Sequence, residues 1–332
     1  MLFVTHEGCL DHEAGRRHPE RPDRLRAVWA GLEQVDLGSE VVLGAPTEAP
    51  MAALARVHDR SHIERLLEVD AAGGGRIDPD TRANSASLKA ARLAAGAGLA
   101  ALEVMDRGEA EAAFCAVRPP GHHATRSNSM GFCLLNNVAV VAMALADRGE
   151  RVLVFDYDAH HGNGTQDVFY GDPRVLFVSV HQWPFYPGSG SLDERGSGEG
   201  AGTTINIPMP AGATGDRYRQ AWDEVIAPVV DSFGPTWLLI SAGFDAHAAD
   251  PLTDMGLSSG DFADLTLEAM STVGPGRTIA FLEGGYDLEA LRDSTSAVVN
   301  ALVGVKSHPE SPTSGGPGRE VVAAASEIHL SG

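Results

Sequence analysis

The sequence predicts a single α/β domain with a central parallel sheet and helices on both faces. Short apolar runs rich in β-branched residues alternate with longer stretches of Ala, Leu, Glu and Arg, the pattern of strands buried on both faces and of helices that cover them. The chain has 332 residues, 43% of them apolar, enough for the one large core that α/β chains of this length build. No internal repeat divides it.

Taken in order, residues 2–5 are a weak strand candidate and residues 22–34 the first helix, with Pro22 near a start where its missing N–H does no harm. Helices are expected over 61–69 and 85–107, a strand over 112–117, a helix over 136–148, and strands over 151–155 and 175–180. A weaker strand at 204–207, a helix at 216–232, a strand at 237–241, a helix at 259–273 and a strand at 278–282 complete the alternation. From Lys306 to Arg319 the composition is Pro, Gly and Ser, which reads as a tether rather than a packed element. A folded catalytic domain is therefore expected over 1–305, followed by a loosely held tail over 306–332.

With 25 Lys+Arg against 45 Asp+Glu the formal charge is −20. That argues against nucleic-acid contact, whose affinity comes mostly from cations neutralising phosphates, and suits a cationic substrate. The longest apolar run, residues 138–146, is half a membrane span. The opening residues Met1 to Glu7 place no basic stretch ahead of an apolar one, and Cys9, Cys115 and Cys133 form an odd set without Cys-x-x-Cys spacing. A cytoplasmic protein with reduced thiols, no membrane contact and no nucleic-acid partner is expected.

Ligands of open α/β sheets gather beyond the carboxyl ends of the strands, and four of the five strong strand candidates end in unusual chemistry. Arg118-Pro119-Pro120-Gly121-His122-His123 follows the strand at 112–117, and Asp156-Tyr157-Asp158-Ala159-His160-His161-Gly162-Asn163-Gly164 follows 151–155. Ala242-Gly243-Phe244-Asp245 and Glu283-Gly284-Gly285-Tyr286 follow the last two. If extension continues past Phe155, alternation aims Asp156, Asp158 and His160 the same way. Asp158, His160 and Asp245 then offer a three-ligand site with an open position, the arrangement of a catalytic zinc, with Asp156 behind it. Taken alone, an Asp-x-His pair is as readily a helix cap, and a His pair as readily a surface loop. Asp156 and Asn163 are available to pin the two imidazoles, and glycines 284 and 285 let Tyr286 approach a reacting oxygen. Together these residues suit metal-assisted amide hydrolysis, with one histidine shuttling the proton and Tyr286 donating to the oxyanion.

Six blocks carry a family resemblance: His18-Pro19-Glu20-Arg21-Pro22, Arg118 to His123, Gly131-Phe132-Cys133-Leu134-Leu135-Asn136-Asn137, Asp156 to Gln166, Ser241-Ala242-Gly243-Phe244-Asp245 and Glu283 to Tyr286. In this order they resemble the zinc-dependent histone deacetylases and acetylpolyamine amidohydrolases of the arginase–deacetylase fold, in the manner of a bacterial, class II-like member. The resemblance implies a parallel sheet of about eight strands, one zinc ion held by Asp158, His160 and Asp245, His123 as general base and acid, His122 as an electrostatic partner linked to Asp156, and Tyr286 as oxyanion donor. Asn163 stands where class I deacetylases carry an aspartate. The resemblance further implies a substrate channel at Gly131, Phe132, Tyr186 and Leu252. It also implies a structural K⁺ or Na⁺ at Asp156, Asp158, His160, Ser179 and Val180.

Removal of acetyl, or another short acyl group, from a lysine-like amine is the expected activity, with acetylpolyamines or other small acylated amines as the alternative substrates. Polyamine-specific relatives carry an acid at the pocket mouth, where this chain has Leu252, and the arginase-type third acid is replaced by Gly162, so a mononuclear site is expected. Fe²⁺ is open as the metal because carboxylate–imidazole sites accept either ion. A ureohydrolase with two manganese ions, a sensor with a vestigial site, and a homo-oligomeric state also stay open at this point.

Overall fold

The computed structural model describes residues 1–35 and 40–330. Eight strands form one parallel sheet in the order β2-β1-β5-β10-β9-β6-β7-β8: β1 (Leu2–Thr5), β2 (Val42–Gly44), β5 (Ala112–Ala116), β6 (Val152–Asp156), β7 (Val175–Gln182), β8 (Thr204–Met209), β9 (Trp237–Ala242) and β10 (Thr278–Leu282). A two-stranded antiparallel hairpin, β3 (Gly74–Arg76) and β4 (Arg82–Asn84), stands apart. The seven expected strands are all present. The eighth, β2, is a three-residue edge strand with Val42 and Leu43 exposed, too short and too wet to give a periodic signal.

The helices are α1 (Pro22–Glu33), α2 (Met51–Val57), α3 (Arg60–Ala71), α4 (Ser87–Asp106), α5 (Asn137–Ala146), α6 (Asn163–Phe169), α7 (Gly215–Ala221), α8 (Ala227–Phe233), α9 (Ser259–Met270), α10 (Leu288–Leu302) and α11 (Arg319–Leu330). Strand order advances from β5 through β6 and β7 to β8 and then reverses, so right-handed crossovers place α4, α5 and α6 on one face and α1, α9 and α10 on the other. The expected helix at 216–232 is α7 and α8 joined through a π-turn over Trp222–Ile226. Pro228 supplies no N–H at that junction, and the widened turn accommodates it. Among the described residues no helix is long and apolar enough to cross a membrane.

Two features correct the expected division at residue 305. Residues 306–318 are strapped down by side chains that a composition argument does not weigh. Thr313 Oγ1 donates to Asp261 Oδ2 (2.7 Å) and accepts from Gly215 N–H (2.9 Å), while Glu310 takes His247 Nε2 (2.7 Å) and Ser259 N–H (3.0 Å). Beyond the strap, α11 packs on β8, α7 and α8 and buries Val322 and Ala325 in the main core. The tail is part of the fold. Thr313→Val, which keeps the shape and deletes the hydroxyl, is expected to destabilise by about 1–3 kcal/mol because Asp261 and the Gly215 amide each lose a partner. A urea midpoint unchanged from wild type would return the strap to the status of a tether.

The helix that follows the first site loop is fixed by a histidine. Asn136 caps α5 by accepting from Ala139 N–H, and its own N–H donates to His58 Nε2 (3.0 Å), whose Nδ1–H donates to the Thr125 carbonyl (2.8 Å). Burial, with nearby His62, pushes the His58 imidazole down to about 3. The ordinary value is about 6.5, so between these two pH values the unfolded chain binds the extra proton. Stability from the neutral ring is therefore complete above about pH 6.5 and is lost progressively as pH falls toward 3. His58→Gln is expected to show a flatter decline of Tm between about pH 6.5 and pH 4 than wild type.

Candidate active site

The metal-ligand candidates converge, though not by alternation along a strand. β6 ends at Asp156, and the chain then turns through successive side-chain-to-backbone bonds: Asp158 N–H donates to Asp156 Oδ1 (3.1 Å), and His160 N–H to Asp158 Oδ1 (2.9 Å). This corrects the expected extension past Phe155; short Asp side chains hold local turns more readily than they prolong a strand. Asp245, past the end of β9, is tied in through Ala159 N–H on its Oδ1 (2.8 Å). His160 Nδ1 then lies 3.1 Å from Asp158 Oδ1 and 3.0 Å from Asp245 Oδ2.

One ligand atom from each of these three residues falls within 4.8 Å of the others. The pocket is lined by glycine where a Cβ would fill it: one on Gly243 would run into the Asp158 carboxylate, and one on Gly284 into both Asp245 and Asp158. Its electrostatics call for a cation. Burial lowers the His160 imidazole, but Asp245 and Asp158 overcome it and push the ring up to about 10. Burial and the Asp158 charge together raise the Asp245 carboxyl. Two buried carboxylates, one imidazole and a cradle without side chains fit a single divalent ion with room for a further ligand.

Tandem histidines face this group from the loop after β5. Glu283 Oε2 accepts from Gly121 N–H (2.6 Å) and His122 N–H (3.1 Å), and two amides of the first turn of α6, at Gly164 and Thr165, donate to the His122 carbonyl (2.9 and 3.1 Å). The loop is thus pinned from two sides. His122 Nδ1 meets Asp156 Oδ2 at 3.0 Å, and His123 Nδ1 meets Asn163 Oδ1 at 2.7 Å. The rings lie 4.0 Å apart between centroids, yet their environments drive them to opposite states. Burial disfavours charge on both. Asp158 and Asp156 reverse this for His122 and hold it well above the ordinary histidine range, whereas His122 and His160 reinforce it for His123 and push that ring well below. The surroundings thus favour charge on His122 and neutrality on His123. Burial raises Asp156 to about 6 against the opposing pull of His122.

Tyr286 is carried on the loop after β10, where Gly285 takes a φ of +115° and Asp250 Oδ2 accepts Tyr286 N–H (2.7 Å). The Arg24 guanidinium sits 4.8 Å from the Tyr286 ring centroid and its Nε donates to the Gly285 carbonyl (2.6 Å). Burial pushes the phenol well above its ordinary range, so it stays a hydrogen-bond donor. Phe132 meets Tyr286 edge-on at 5.9 Å and His18 at 4.6 Å, while Tyr186 meets His123 at 5.2 Å and His160 at 6.1 Å. Leu252 is half-buried, with its N–H on Asp250 Oδ1 (2.9 Å). Gly131, at φ +56°, lies against His123. Asp156 and Ser179 are register partners across β6 and β7, with buried Val180 next along β7.

Several working residues were not assigned roles from the sequence. Glu283 stands inside a quoted motif and Asp250 two residues before Leu252, and the signal available was a lone acid placed directly after an apolar strand or close to a residue already singled out. Phe185 stacks on His160 at 5.3 Å. Asp80 and Thr81, from the hairpin loop, accept the amides of Gly131 (3.2 Å) and Phe132 (3.0 Å) and so hold Phe132 at a φ of +68°. Glu20, fully buried, joins Arg118, Arg24 and His12 beneath the site. These long-range partners carry no local spacing for a sequence to show.

Comparisons with known proteins find similarity along most of the chain. A model of the histone deacetylase domain matches residues 18–302. The chain is 41% identical over 309 residues to a probable deacetylase of Archaeoglobus fulgidus, covering 91% of this chain and 86% of that protein. It is 38% identical over 302 residues to histone deacetylase 15 of Arabidopsis thaliana, covering 89% of this chain and 54% of that longer protein. The crystal structure of the HDA15 HD domain superposes with a TM-score of 0.92 at 35% identity, covering 99% of this chain and 94% of that one.

Proposed function

The chain belongs to the histone deacetylase family, and from that premise we propose that this deacetylase is a zinc-dependent amidohydrolase that removes acetyl, or another short acyl group, from a lysine-like amine. The observation that carries the reading is the meeting of Asp158, His160 and Asp245 within 4.8 Å beneath a neutral His123. When bound there, the divalent ion polarises the acyl carbonyl and acidifies water. His123, its Nδ1–H engaged by Asn163, presents a free Nε2 that takes the proton of the attacking water and returns it to the leaving amine. His122 stays protonated between Asp156 and Asp158 and supplies fixed positive charge. The Tyr286 phenol donates to the oxygen on which negative charge develops. Phe132, beside Tyr286, and Tyr186, beside His123, flank the approach, and Gly131 lies against His123. A structural K⁺ or Na⁺ would be held by Asp156, Ser179 and the carbonyls of Asp158, His160 and Val180.

Small acylated amines are the second reading, favoured by the charge of −20, which steers cations toward the protein; the apolar Leu252 favours the lysine-like arm. Zinc-loaded and anaerobically iron-loaded protein, assayed on an acetyl-lysine peptide and on acetylspermidine, separates the readings. Chelator-sensitive turnover with the higher kcat/KM on the peptide is expected. The reverse preference installs the small-amine reading, and no turnover on either removes the proposed activity. The buried thiols Cys9, Cys115 and Cys133, none of them paired, support placing the protein in a reducing cytoplasm.

A further inference from the structure

The geometry points to Met130 as a positioning residue for the catalytic base: its thioether sulfur fixes which way the Asn163 amide faces, and through it which nitrogen of His123 carries the proton. Asn163 Nδ2 donates to Met130 Sδ at 3.4 Å, and Asn163 Oδ1 faces His123 Nδ1 at 2.7 Å. These are the hydrogen bonds of the Asn163 side chain among the described residues.

A side-chain amide can turn over about its last bond and exchange oxygen for nitrogen with almost no change of shape. Turned over, Asn163 would offer N–H to His123, whose Nδ1 would have to accept and whose proton would sit on Nε2. Both arrangements satisfy the contact between the two residues. They differ in chemistry, since only the first leaves Nε2 free to take a proton from water. The histidine does not choose between them, because its tautomer follows the amide. The sulfur does. A thioether has lone pairs and no hydrogen, so it accepts from the amide nitrogen and repels the amide oxygen.

Met130 is held for this task. Its backbone exchanges two hydrogen bonds with Cys133 (3.2 and 2.9 Å) around the turn that sets Gly131 and Phe132 at positive φ. From its other side the residue lines a cavity of about 640 Å³ with His62, Leu66, Ile77 and Ser129. The turn that presents Phe132 to the site therefore also presents the sulfur to Asn163.

The inference rests on His123 acting as the base, but its first readout does not. In ¹⁵N-labelled, zinc-loaded protein the His123 ring is expected to show the Nδ1–H tautomer alone. Met130→Leu, close in volume and without an acceptor, is expected to show the Nε2–H tautomer beside it, and kcat about two-fold to ten-fold lower with KM within about two-fold. Asn163→Asp makes the two accepting atoms equivalent and removes the choice, so adding Met130→Leu to that variant is expected to leave both its tautomer and its kcat unchanged. A single Nδ1–H tautomer in Met130→Leu, or an equal loss of kcat in both backgrounds, overturns the inference. Should no acyl substrate turn over, the tautomer still decides it, so its failure and that of the proposed function are told apart.

Discussion

Tyr286→Phe is expected to lower kcat by about 10²–10³-fold, the usual cost of deleting one oxyanion donor, with KM changed by less than about three-fold. The reasoning is positional. The ring is fixed by the Asp250 bond to its backbone amide, by Arg24 at 4.8 Å and by Phe132 at 5.9 Å, so phenylalanine occupies the same volume in the same place and only the hydroxyl is lost. Burial keeps the phenol protonated, so the wild-type donor is available at any pH the enzyme works at, and the variant's deficit is expected to be constant from about pH 6 to 9. A pH-dependent deficit would make Tyr286 a titrating acid instead of a fixed donor. Undiminished kcat would remove its role.

How much of this site could be read from the sequence follows from what each residue needs. Asp158, His160 and Asp245 were legible because each sits just past a run of buried apolar residues, and an ionisable group there has to be placed by function or by a partner. The route by which Asp158 and His160 meet was misread, since strand alternation and an Asp-held turn give the same local pattern until the backbone is seen to leave the sheet at Asp156. Long-range supports were not legible at all. Glu283 reaches the amides of Gly121 and His122 across 162 and 161 residues of chain, and Thr81 reaches Phe132 across 51. Fold elements divided the same way. Central strands buried on both faces stood out, while β2, half in water, did not. The strap at 306–318 was misread because Pro, Gly and Ser report the freedom of a backbone and not the anchors, Glu310 and Thr313, that remove it.

Asp245→Asn tests the metal centre by two measurements that pull apart. Without metal its Tm is expected to move little. The asparagine oxygen still accepts Ala159 N–H, and the attraction lost at His160 is offset by the desolvation of a buried carboxylate that no longer has to be met. With metal the difference is large. At zinc one hundred times the wild-type Kd, binding adds about 2.7 kcal/mol. In a chain of this length that is a Tm rise of about 4 °C. Loss of one of three ligands is expected to weaken binding at least about 100-fold, leaving about 0.4 kcal/mol and a rise below about 1 °C at the same zinc concentration. Activity at that concentration is expected to fall by about 10³-fold or more, because the ion is both scarcer and less able to polarise the carbonyl. A variant that keeps the full zinc-induced rise would show that Asp245 is no ligand. A wild type with no rise would show that the three residues, for all their closeness, hold no metal.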